Sequence, residues 1–394
     1  MAHPGALEVL AGRLADLDQA GLKRRLVSMG PATGARVVID GRPVILLASN
    51  DYLGLARHPR LAAAALRAAQ EQGSGSGASR LISGTLDSHL ALEAEIAAFK
   101  KAPAALYFSS GYLANLGAVT GLTQAGDLIV SDRLNHASLI DACRLSRARR
   151  AIYPHGDWRS AGEILAQAPE TGLKLIVTDG VFSMDGDLAP LPELLDLARR
   201  HDALLVVDDA HATGVWGAEG RGSFEHYGLT PGPQAVMVGT FSKALGGLGG
   251  FVAGAREVVD TLVSRARSFL YTTSPPPAQV AVARESLALV REMPELRQKL
   301  FALSDLLRRK LEEGGLTVTS PAGPIVPVLV GDTGRALALA AALLDEGVFA
   351  PAIRPPTVPP GSSRVRLAVS AAHSEEDVEQ AAAAVLRAAR KVGG

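Results

Sequence analysis

The stretch "ALLVVDDAHATG", residues 203–214, joins an unbroken apolar run to two carboxylates and a histidine. Such a continuous run of valine and leucine is typical of a strand that is buried on both faces of a sheet. Similar runs occur elsewhere and are separated by helical patterns, at 104–110, 127–132, 174–180, 235–240 and 249–254. Buried strands that alternate with helices predict an α/β fold around a mainly parallel central sheet.

Length and charge narrow the class of protein. The chain has 394 residues, with 40 basic and 40 acidic side chains that cancel. A balanced charge gives no general attraction to nucleic acid or to an anionic membrane, and we expect neither as a partner. Cys143 is the only cysteine, which fits a reducing cytoplasm. The amphipathic pattern at the start of the chain differs from that of a signal peptide because charges interrupt it throughout.

Composition also suggests how the chain is divided. Residues 1–45 are predicted to form an N-terminal helix and strand segment, with two strands around the turn signal Asp40–Gly41. Residues 46–277 carry the strand and helix alternation and are predicted to be the large α/β domain. Residues 278–394 are predicted to be a smaller α+β domain that opens with one long helix to about residue 313.

Polar residues follow five of the strand candidates. In open α/β sheets, ligands bind outside the carboxyl ends of the strands, so these residues should converge on one crevice. The five segments are "SSGY" (109–112), "SDRLNHAS" (131–138), "DGVFSMDGD" (179–187), "DDAHATG" (208–214) and "GTFSKALGG" (239–247).

The carboxylates of residues 208–214 allow two interpretations. Asp208, Asp209 and His211 could bind a metal ion and form a metal-dependent hydrolase. Alternatively, Asp208 could hold a proton on a heterocyclic ring nitrogen, because such a proton needs a buried anionic partner, and His211 could approach the same ring.

Lys243 lies among small residues directly after a strand candidate. A lysine in a close-packed, partly desolvated pocket has a lowered pKa and becomes a nucleophile at neutral pH. Its alternative role is a point charge for a phosphate, but the P-loop spacing is missing here. "GSGSGA" (73–78) imitates a dinucleotide-binding fingerprint, but it follows a helix where a strand is required.

A nucleophilic lysine, a carboxylate for a ring nitrogen and glycine- and serine-rich turns together describe a site for pyridoxal 5'-phosphate (PLP). The chain resembles the α-oxoamine synthase family over almost its whole length. The resemblance lies in "SNDYLGL" (49–55), "GSGSGASRLISGT" (73–85), "LNHASLIDA" (134–142), "DGVFSMDGD", "VDDAHATGVWG" (207–217), "GTFSKALGGLGG" (239–250) and "AIRPPTVPPGSSRVRLAVSAAH" (352–373). It implies a PLP-dependent transferase of fold-type I that joins an amino acid to an acyl thioester with loss of CO2.

The resemblance also implies roles around the cofactor ring. Lys243 would hold the cofactor covalently and then act as general base at the amino-acid Cα. Asp208 would pair with the pyridine nitrogen, and His211 and Ser183 would bond to the phenolic oxygen. His136 would stack on the ring and contact substrate, although a histidine in "LNHAS" is by itself more often a helix cap or a core residue.

Phosphate binding is expected at the start of a helix after the first strand. The backbone N–H groups of Gly111 and Tyr112 suit a phosphate there. Thr240 would add a hydroxyl, and Ser242 would add another or cap a helix. In this family the partner subunit completes the phosphate site, here through "YTTS" (271–274), so the resemblance implies a homodimer.

Substrate contacts are expected from both ends of the chain. Arg354 would clamp the amino-acid carboxylate, Thr357 would contact substrate, and Asn50 would contact the substrate carboxylate or the cofactor. Arg24, chosen among Lys23, Arg24 and Arg25, would reach the acyl group, and the alternative is that it lies on a solvated helix face. "IRPPTVP" and "SNDYLGL" most resemble the family member that uses L-alanine and a pimeloyl thioester, carried by CoA or by acyl carrier protein. A member that uses glycine, such as glycine C-acetyltransferase, is the alternative.

Overall fold

The computed structural model describes residues 5–168 and 170–393. The helices are α1 (Ala6–Gln19), α2 (Pro59–Gln72), α3 (Asp87–Lys100), α4 (Gly111–Leu122), α5 (Ala137–Leu145), α6 (Trp158–Ala166), α7 (Leu191–Arg200), α8 (Ser223–His226), α9 (Arg256–Arg265), α10 (Arg267–Leu270), α11 (Pro277–Glu292), α12 (Pro294–Glu313), α13 (Thr333–Asp345) and α14 (Glu375–Gly393), with a 3-10 turn at Leu55–Arg57. No helix among these residues is both long and apolar enough to cross a membrane.

The strands are β1 (Ala32–Thr33), β2 (Arg36–Ile39), β3 (Arg42–Leu46), β4 (Ala104–Phe108), β5 (Leu128–Asp132), β6 (Arg149–Tyr153), β7 (Lys174–Asp179), β8 (Ala203–Asp208), β9 (Ala235–Thr240), β10 (Gly250–Gly254), β11 (Ile325–Gly331), β12 (Val348–Phe349), β13 (Ala352–Ile353) and β14 (Ser363–Ala368).

The central sheet confirms the predicted α/β fold. In the described chain its order is β4-β10-β9-β8-β7-β5-β6. The five strands β6, β5, β7, β8 and β9 run parallel to one another, and β10 runs antiparallel to both of its neighbours. Along β8, Leu205 and Val207 pack into one apolar core and Val206 into another, so both faces of the sheet are covered.

Strand β6 and the break after α11 were not anticipated. Strand β6 lies at the sheet edge and begins with two exposed arginines, so it lacks the apolar run of a central strand. The single long helix predicted for 278–313 is two helices, α11 and α12. Pro294 explains the break, because proline disfavours helical geometry in the residue before it and cannot donate a backbone hydrogen bond.

Two smaller sheets flank the central one. The predicted hairpin is present as β2 and β3, with Asp40 at φ 48° and Gly41 at φ 76° in its turn. Strand β12 pairs with β3, Val348 facing Ile45, so a strand of the C-terminal third extends the N-terminal sheet. Strands β11, β14 and β13 form the other small sheet. The division at residues 45 and 277 stays a prediction.

Candidate active site

Lys243 and His211 form the centre of the site. The Lys243 Nζ lies 3.0 Å from His211 Nε2, and the His211 Nδ1 lies 2.7 Å from the hydroxyl of Tyr52. Burial lowers the pKa of Lys243, and the nearby carboxylates of Asp208 and Asp179 oppose part of that effect. A lysine of this kind holds less of its charge at neutral pH than a surface lysine, which is what a nucleophile or general base requires.

Asp208 ends β8 and is connected to His136 by two side chains. The Asp208 carboxylate accepts a hydrogen bond of 2.6 Å from the amide of Asn115, which also donates to Ser138 Oγ at 2.8 Å. The Ser138 hydroxyl lies 2.7 Å from His136 Nδ1. His136 is indeed the N-cap of α5, and its pKa is lowered by burial while Asp208 opposes the change. His136 therefore both caps α5 and lies near Asp208.

Asp179 ends the adjacent strand β7 and carries a second buried carboxylate. It accepts the backbone N–H of His136 at 2.8 Å. Burial and the charge of Asp208 raise the pKa of Asp179 well above its ordinary value. Burial and the neighbouring carboxylate both disfavour the charged form of Asp179.

Arg366 is a site residue that the sequence interpretation did not select. It lies in β14, is 6% exposed, and donates through Nε to the carbonyl of Ser183 at 2.6 Å. Its terminal nitrogen lies 3.2 Å from both Asn50 Oδ1 and the Tyr52 hydroxyl. Burial is the largest cause that lowers the pKa values of His211 and Lys243, and the guanidinium of Arg366 lowers both further. Arg366 is therefore the cation that β14 brings to this centre.

The predicted phosphate residues lie together. Helix α4 begins at Gly111, directly after β4, as expected. A Cβ at Gly111 would lie 3.1 Å from Thr240 Cβ, which is tighter than ordinary packing, so glycine keeps the space between this helix end and Thr240 open. Tyr112 is exposed and its hydroxyl donates to Asp141. Ser242 lies 2.8 Å from Thr240 Oγ1, and no helix begins there, so the capping interpretation of Ser242 is wrong.

Ser183 and Thr357 share a cavity of about 430 Å³. One wall comes from residues 133–135 before α5, another from residues 182–185 after β7, and the third from the proline-rich segment 355–360. Arg354 lies half-buried just before that segment, outside the hydrogen-bonded centre described above. Arg24 is exposed in the coil after α1, so it does not lie on a helix face.

Asp209 points away from Asp208. Its carboxylate accepts from Lys100 Nζ at 2.9 Å and from Ser223. Asp208, Asp209 and His211 therefore do not share one ligand set, and within the described residues no group of three or more His, Cys, Asp or Glu side chains could hold a metal ion. The geometry does not support the metal-dependent hydrolase alternative.

His155 joins two walls of the cavity. Its Nδ1 lies 3.0 Å from Asp132, which precedes residues 133–135, and its Nε2 lies 2.9 Å from Asp187, which follows residues 182–185. The ring also packs edge-on against Phe182 with centroids 4.3 Å apart. Burial opposes protonation, but the two carboxylates raise the pKa of His155 to about 10. A protonated His155 therefore bridges both acids at neutral pH.

We expect this bridge to make stability depend on pH. The pKa of His155 rises from 6.5 to about 10 on folding, so its contribution is complete below pH 6.5 and is lost as pH rises through about 10. The His155→Gln variant should unfold at lower urea concentration than the native chain at pH 6, and the difference should shrink by pH 10. A difference between the two urea midpoints that does not change with pH would contradict the protonated bridge.

Comparisons with known proteins place the chain in a family. Residues 42–385 match the aminotransferase class I and II family. The chain belongs to that family. It is 50% identical to an 8-amino-7-oxononanoate synthase of Geobacter sulfurreducens over 387 residues, which are 98% of each chain.

Two solved structures of the same fold are similar. One is a lysine-to-alanine variant of serine palmitoyltransferase from S. paucimobilis with bound PLP-myriocin aldimine, 31% identical, with a TM-score of 0.93 over 99% of this chain and 100% of that one. The other is 8-amino-7-oxononanoate synthase from Francisella tularensis, 25% identical, with a TM-score of 0.75 over 88% of this chain and 98% of that one. The predicted fold-type I architecture is confirmed.

The residues of the site fit PLP. A buried carboxylate, Asp208, lies close enough to the amine of Lys243 to affect its pKa. The narrow gap between Gly111 and Thr240 is a cradle that a Cβ would crowd, and Ser109, two residues before Gly111, has a buried Oγ without a hydrogen-bond partner. A helix N-terminus with a free hydroxyl suits a phosphate group.

Asn115, Tyr52 and Arg366 were missed by the sequence interpretation. Asn115 is a polar residue in the otherwise largely apolar helix α4, and Arg366 interrupts an apolar strand, so each could have been flagged as a buried polar group. Tyr52 lies within "SNDYLGL", but tyrosine is common in cores and nothing in the spacing marks its hydroxyl.

Proposed function

We propose that the chain is a PLP-dependent acyltransferase that condenses L-alanine with a pimeloyl thioester of CoA or of acyl carrier protein. The products are 8-amino-7-oxononanoate, CO2 and the free thiol carrier, as required for biotin biosynthesis. Similarity to the Geobacter sulfurreducens 8-amino-7-oxononanoate synthase over 98% of both chains supports the substrate pair. The observation that carries the chemistry is the contact of Lys243 with His211 beside Asp208.

Each side chain of the site has a role in that reaction. When bound, PLP supplies an electron sink for the negative charge that develops at the amino-acid Cα. Lys243 attaches the cofactor and takes the Cα proton, because burial favours its neutral amine. Asp208 would hold the proton of the ring nitrogen, and Asn115 orients that carboxylate. His136 would lie against the ring, and the phosphate would be held by Gly111, Tyr112, Thr240 and Ser242.

We assign the amino-acid carboxylate to Arg366 in place of Arg354. Arg366 is connected to Asn50 and, through Tyr52, to His211, whereas Arg354 lies outside this network. A planar guanidinium binds a carboxylate through two parallel hydrogen bonds. Thr357 and Ser183 remain as contacts in the cavity, and Arg24 remains a predicted contact of the acyl group.

The Arg366→Lys variant should raise the KM for L-alanine by about 10- to 100-fold, because lysine keeps the charge but cannot form the two parallel bonds. Steady-state kinetics with varied alanine at saturating pimeloyl-CoA measure this effect. Arg354→Lys is the matched control and should change KM by less than about threefold. A large rise in KM for Arg354→Lys with little change for Arg366→Lys would assign the substrate carboxylate to Arg354.

The reaction itself is tested with the purified protein, PLP, L-alanine and pimeloyl-CoA. We expect 8-amino-7-oxononanoate by mass spectrometry, with CO2 and free thiol released in equal amounts. Faster turnover of glycine with acetyl-CoA would assign the chain to the glycine C-acetyltransferase alternative. Absence of any CO2 release would exclude a decarboxylative condensation.

A second copy of the chain is proposed to complete the site. Helix α1 has no buried residue within the single chain, and its apolar side chains Leu7, Leu10 and Leu14 are all more than half exposed. Tyr271, in the "YTTS" segment, is 72% exposed. An apolar helix face without a partner fits a homodimer interface. Light scattering should give twice the chain mass of 40.9 kDa, and a monomer would contradict this assignment.

We place the reaction in the cytoplasm. Cys143, the single cysteine, is buried and free, and so needs no oxidising compartment. Separation of membrane and soluble fractions of the source cell would test this location, since activity recovered in the membrane fraction would contradict it.

A further inference from the structure

The hydroxyl of Tyr52 connects the two functional halves of the site. Tyr52 is fully buried, and its hydroxyl lies 2.7 Å from His211 Nδ1, 3.2 Å from the Arg366 terminal nitrogen and 3.1 Å from Asn50 Oδ1. His211 in turn contacts Lys243. One hydroxyl therefore lies between the guanidinium that we assign to the substrate carboxylate and the imidazole that contacts the lysine.

The protons of this network can be assigned from its donors and acceptors. A guanidinium can only donate, so Arg366 donates to both the Tyr52 oxygen and Asn50 Oδ1. The Tyr52 hydroxyl has one hydrogen to give. Two acceptors lie within reach, and His211 Nδ1 at 2.7 Å is nearer than Asn50 Oδ1 at 3.1 Å. The hydrogen of Tyr52 therefore points to Nδ1, and His211 carries its own proton on Nε2.

Surrounding charges agree with this assignment. Burial lowers the pKa of His211 well below its ordinary value, and the positive charges of Lys243, Arg366 and His136 lower it further. Burial also lowers the pKa of Lys243, against Asp208 and Asp179. Both shifts favour the neutral forms, in which the imidazole of His211 can donate its Nε2–H to the amine of Lys243.

We propose that Tyr52 is a positioning residue that holds His211 in the Nε2–H tautomer and couples carboxylate binding at Arg366 to the proton facing Lys243. A carboxylate that engages Arg366 competes for the guanidinium hydrogen now donated to Tyr52, which changes the hydrogen bond from Tyr52 to His211. Substrate binding at one end of the network thus alters proton donation at the other. This coupling rests on the proposed function, since it assigns the substrate carboxylate to Arg366. The tautomer of His211 does not depend on the proposed function.

Tyr52→Phe tests the proposal because it keeps the ring in the core and removes only the hydroxyl. Tyr107→Phe is the matched control, since Tyr107 is equally buried and its hydroxyl donates to the carbonyl of Leu248 at 2.7 Å. The tautomer is measured by ¹⁵N NMR of the histidine rings in the protein before PLP is added, with the His211 signals assigned from a His211→Gln spectrum. We expect Nε2–H in the native chain and in Tyr107→Phe, and a mixture of tautomers in Tyr52→Phe.

Coupling is measured on the PLP-loaded protein with propionate, which has the carboxylate of alanine but no amino group. Propionate should shift the pH midpoint of the visible absorbance in the native chain and in Tyr107→Phe, and should no longer do so in Tyr52→Phe. We also expect Tyr52→Phe to lower kcat about tenfold, the size of one lost hydrogen bond, with little change in KM for alanine.

The outcomes separate the two claims. An Nδ1–H tautomer in the native chain, or an unchanged tautomer in Tyr52→Phe, would overturn the role of Tyr52 whether or not PLP binds. An equal propionate shift in all three proteins would overturn the coupling. Failure of the protein to bind PLP would overturn the proposed function, while the NMR result would still decide the role of Tyr52.

Discussion

Lys243→Ala should lower the rate of condensation by about a thousandfold or more, because the variant loses both the amine that attaches the cofactor and the base at Cα. The variant should also lose the visible absorbance band of the lysine-bound cofactor. The amine is placed for this role by its 3.0 Å contact with His211 and by burial, which lowers its pKa. Absorbance spectra and single-turnover assays measure the two losses separately.

Lys174→Ala is the matched control for that variant. Lys174 begins β7, at the end of the sheet opposite to the polar strand ends, and its amine donates to the carbonyl of His201. It should keep the absorbance band and nearly full activity. If Lys243→Ala still showed the band, and borohydride bleached it and left the cofactor covalently attached, another lysine would hold the cofactor and the site assignment would be wrong.

Lys100→Met should lower the free energy of unfolding by about 3–5 kcal/mol, the usual effect of removing one partner of a buried ion pair. Lys100 and Asp209 have side chains that are 0% and 1% exposed, with 2.9 Å between Nζ and Oδ2. The lysine also donates to Thr213 at 3.1 Å and to the carbonyl of Arg221 at 2.5 Å. Methionine keeps much of the volume but leaves the carboxylate of Asp209 buried without its cation.

Urea unfolding at fixed protein concentration measures this effect as a fall in the midpoint. Arg200→Met is the control, because the Arg200–Asp196 pair is more than half exposed on both sides and should contribute less than about 0.5 kcal/mol. The double variant Lys100→Met/Asp209→Asn should recover part of the loss, since the unpaired charge is removed with its partner. If Lys100→Met and Arg200→Met lowered the free energy of unfolding by equally small amounts, the prediction would be wrong, and water would have to solvate the Asp209 carboxylate in the variant.

Much of the sheet could be predicted from sequence because central parallel strands need apolar side chains on both faces. All six strands predicted for the central sheet are present, and β6 was not predicted because an edge strand does not have that requirement. The turn at Asp40–Gly41 was predictable for a local reason, since both residues adopt positive φ. Pro294 was equally local evidence, and the helix there was nevertheless predicted as continuous.

The sequence by itself determined which residues end the strands, because the change from an apolar run to a polar turn occurs between neighbouring residues. Lys243, Asp208, His211 and His136 were identified in this way, together with the resemblance of their motifs to the α-oxoamine synthases.

Only the tertiary structure decided which distant side chains meet them. Arg366 and Tyr52 are 314 positions apart and come within hydrogen-bond distance because β14 and the segment after β3 both pack near the ends of the central strands. Arg354 and Arg366 are both arginines close to one proline-rich segment, so their spacing in the sequence could not distinguish them. The choice depends on which guanidinium is folded against Asn50 and Ser183, and that is a property of packing between remote segments.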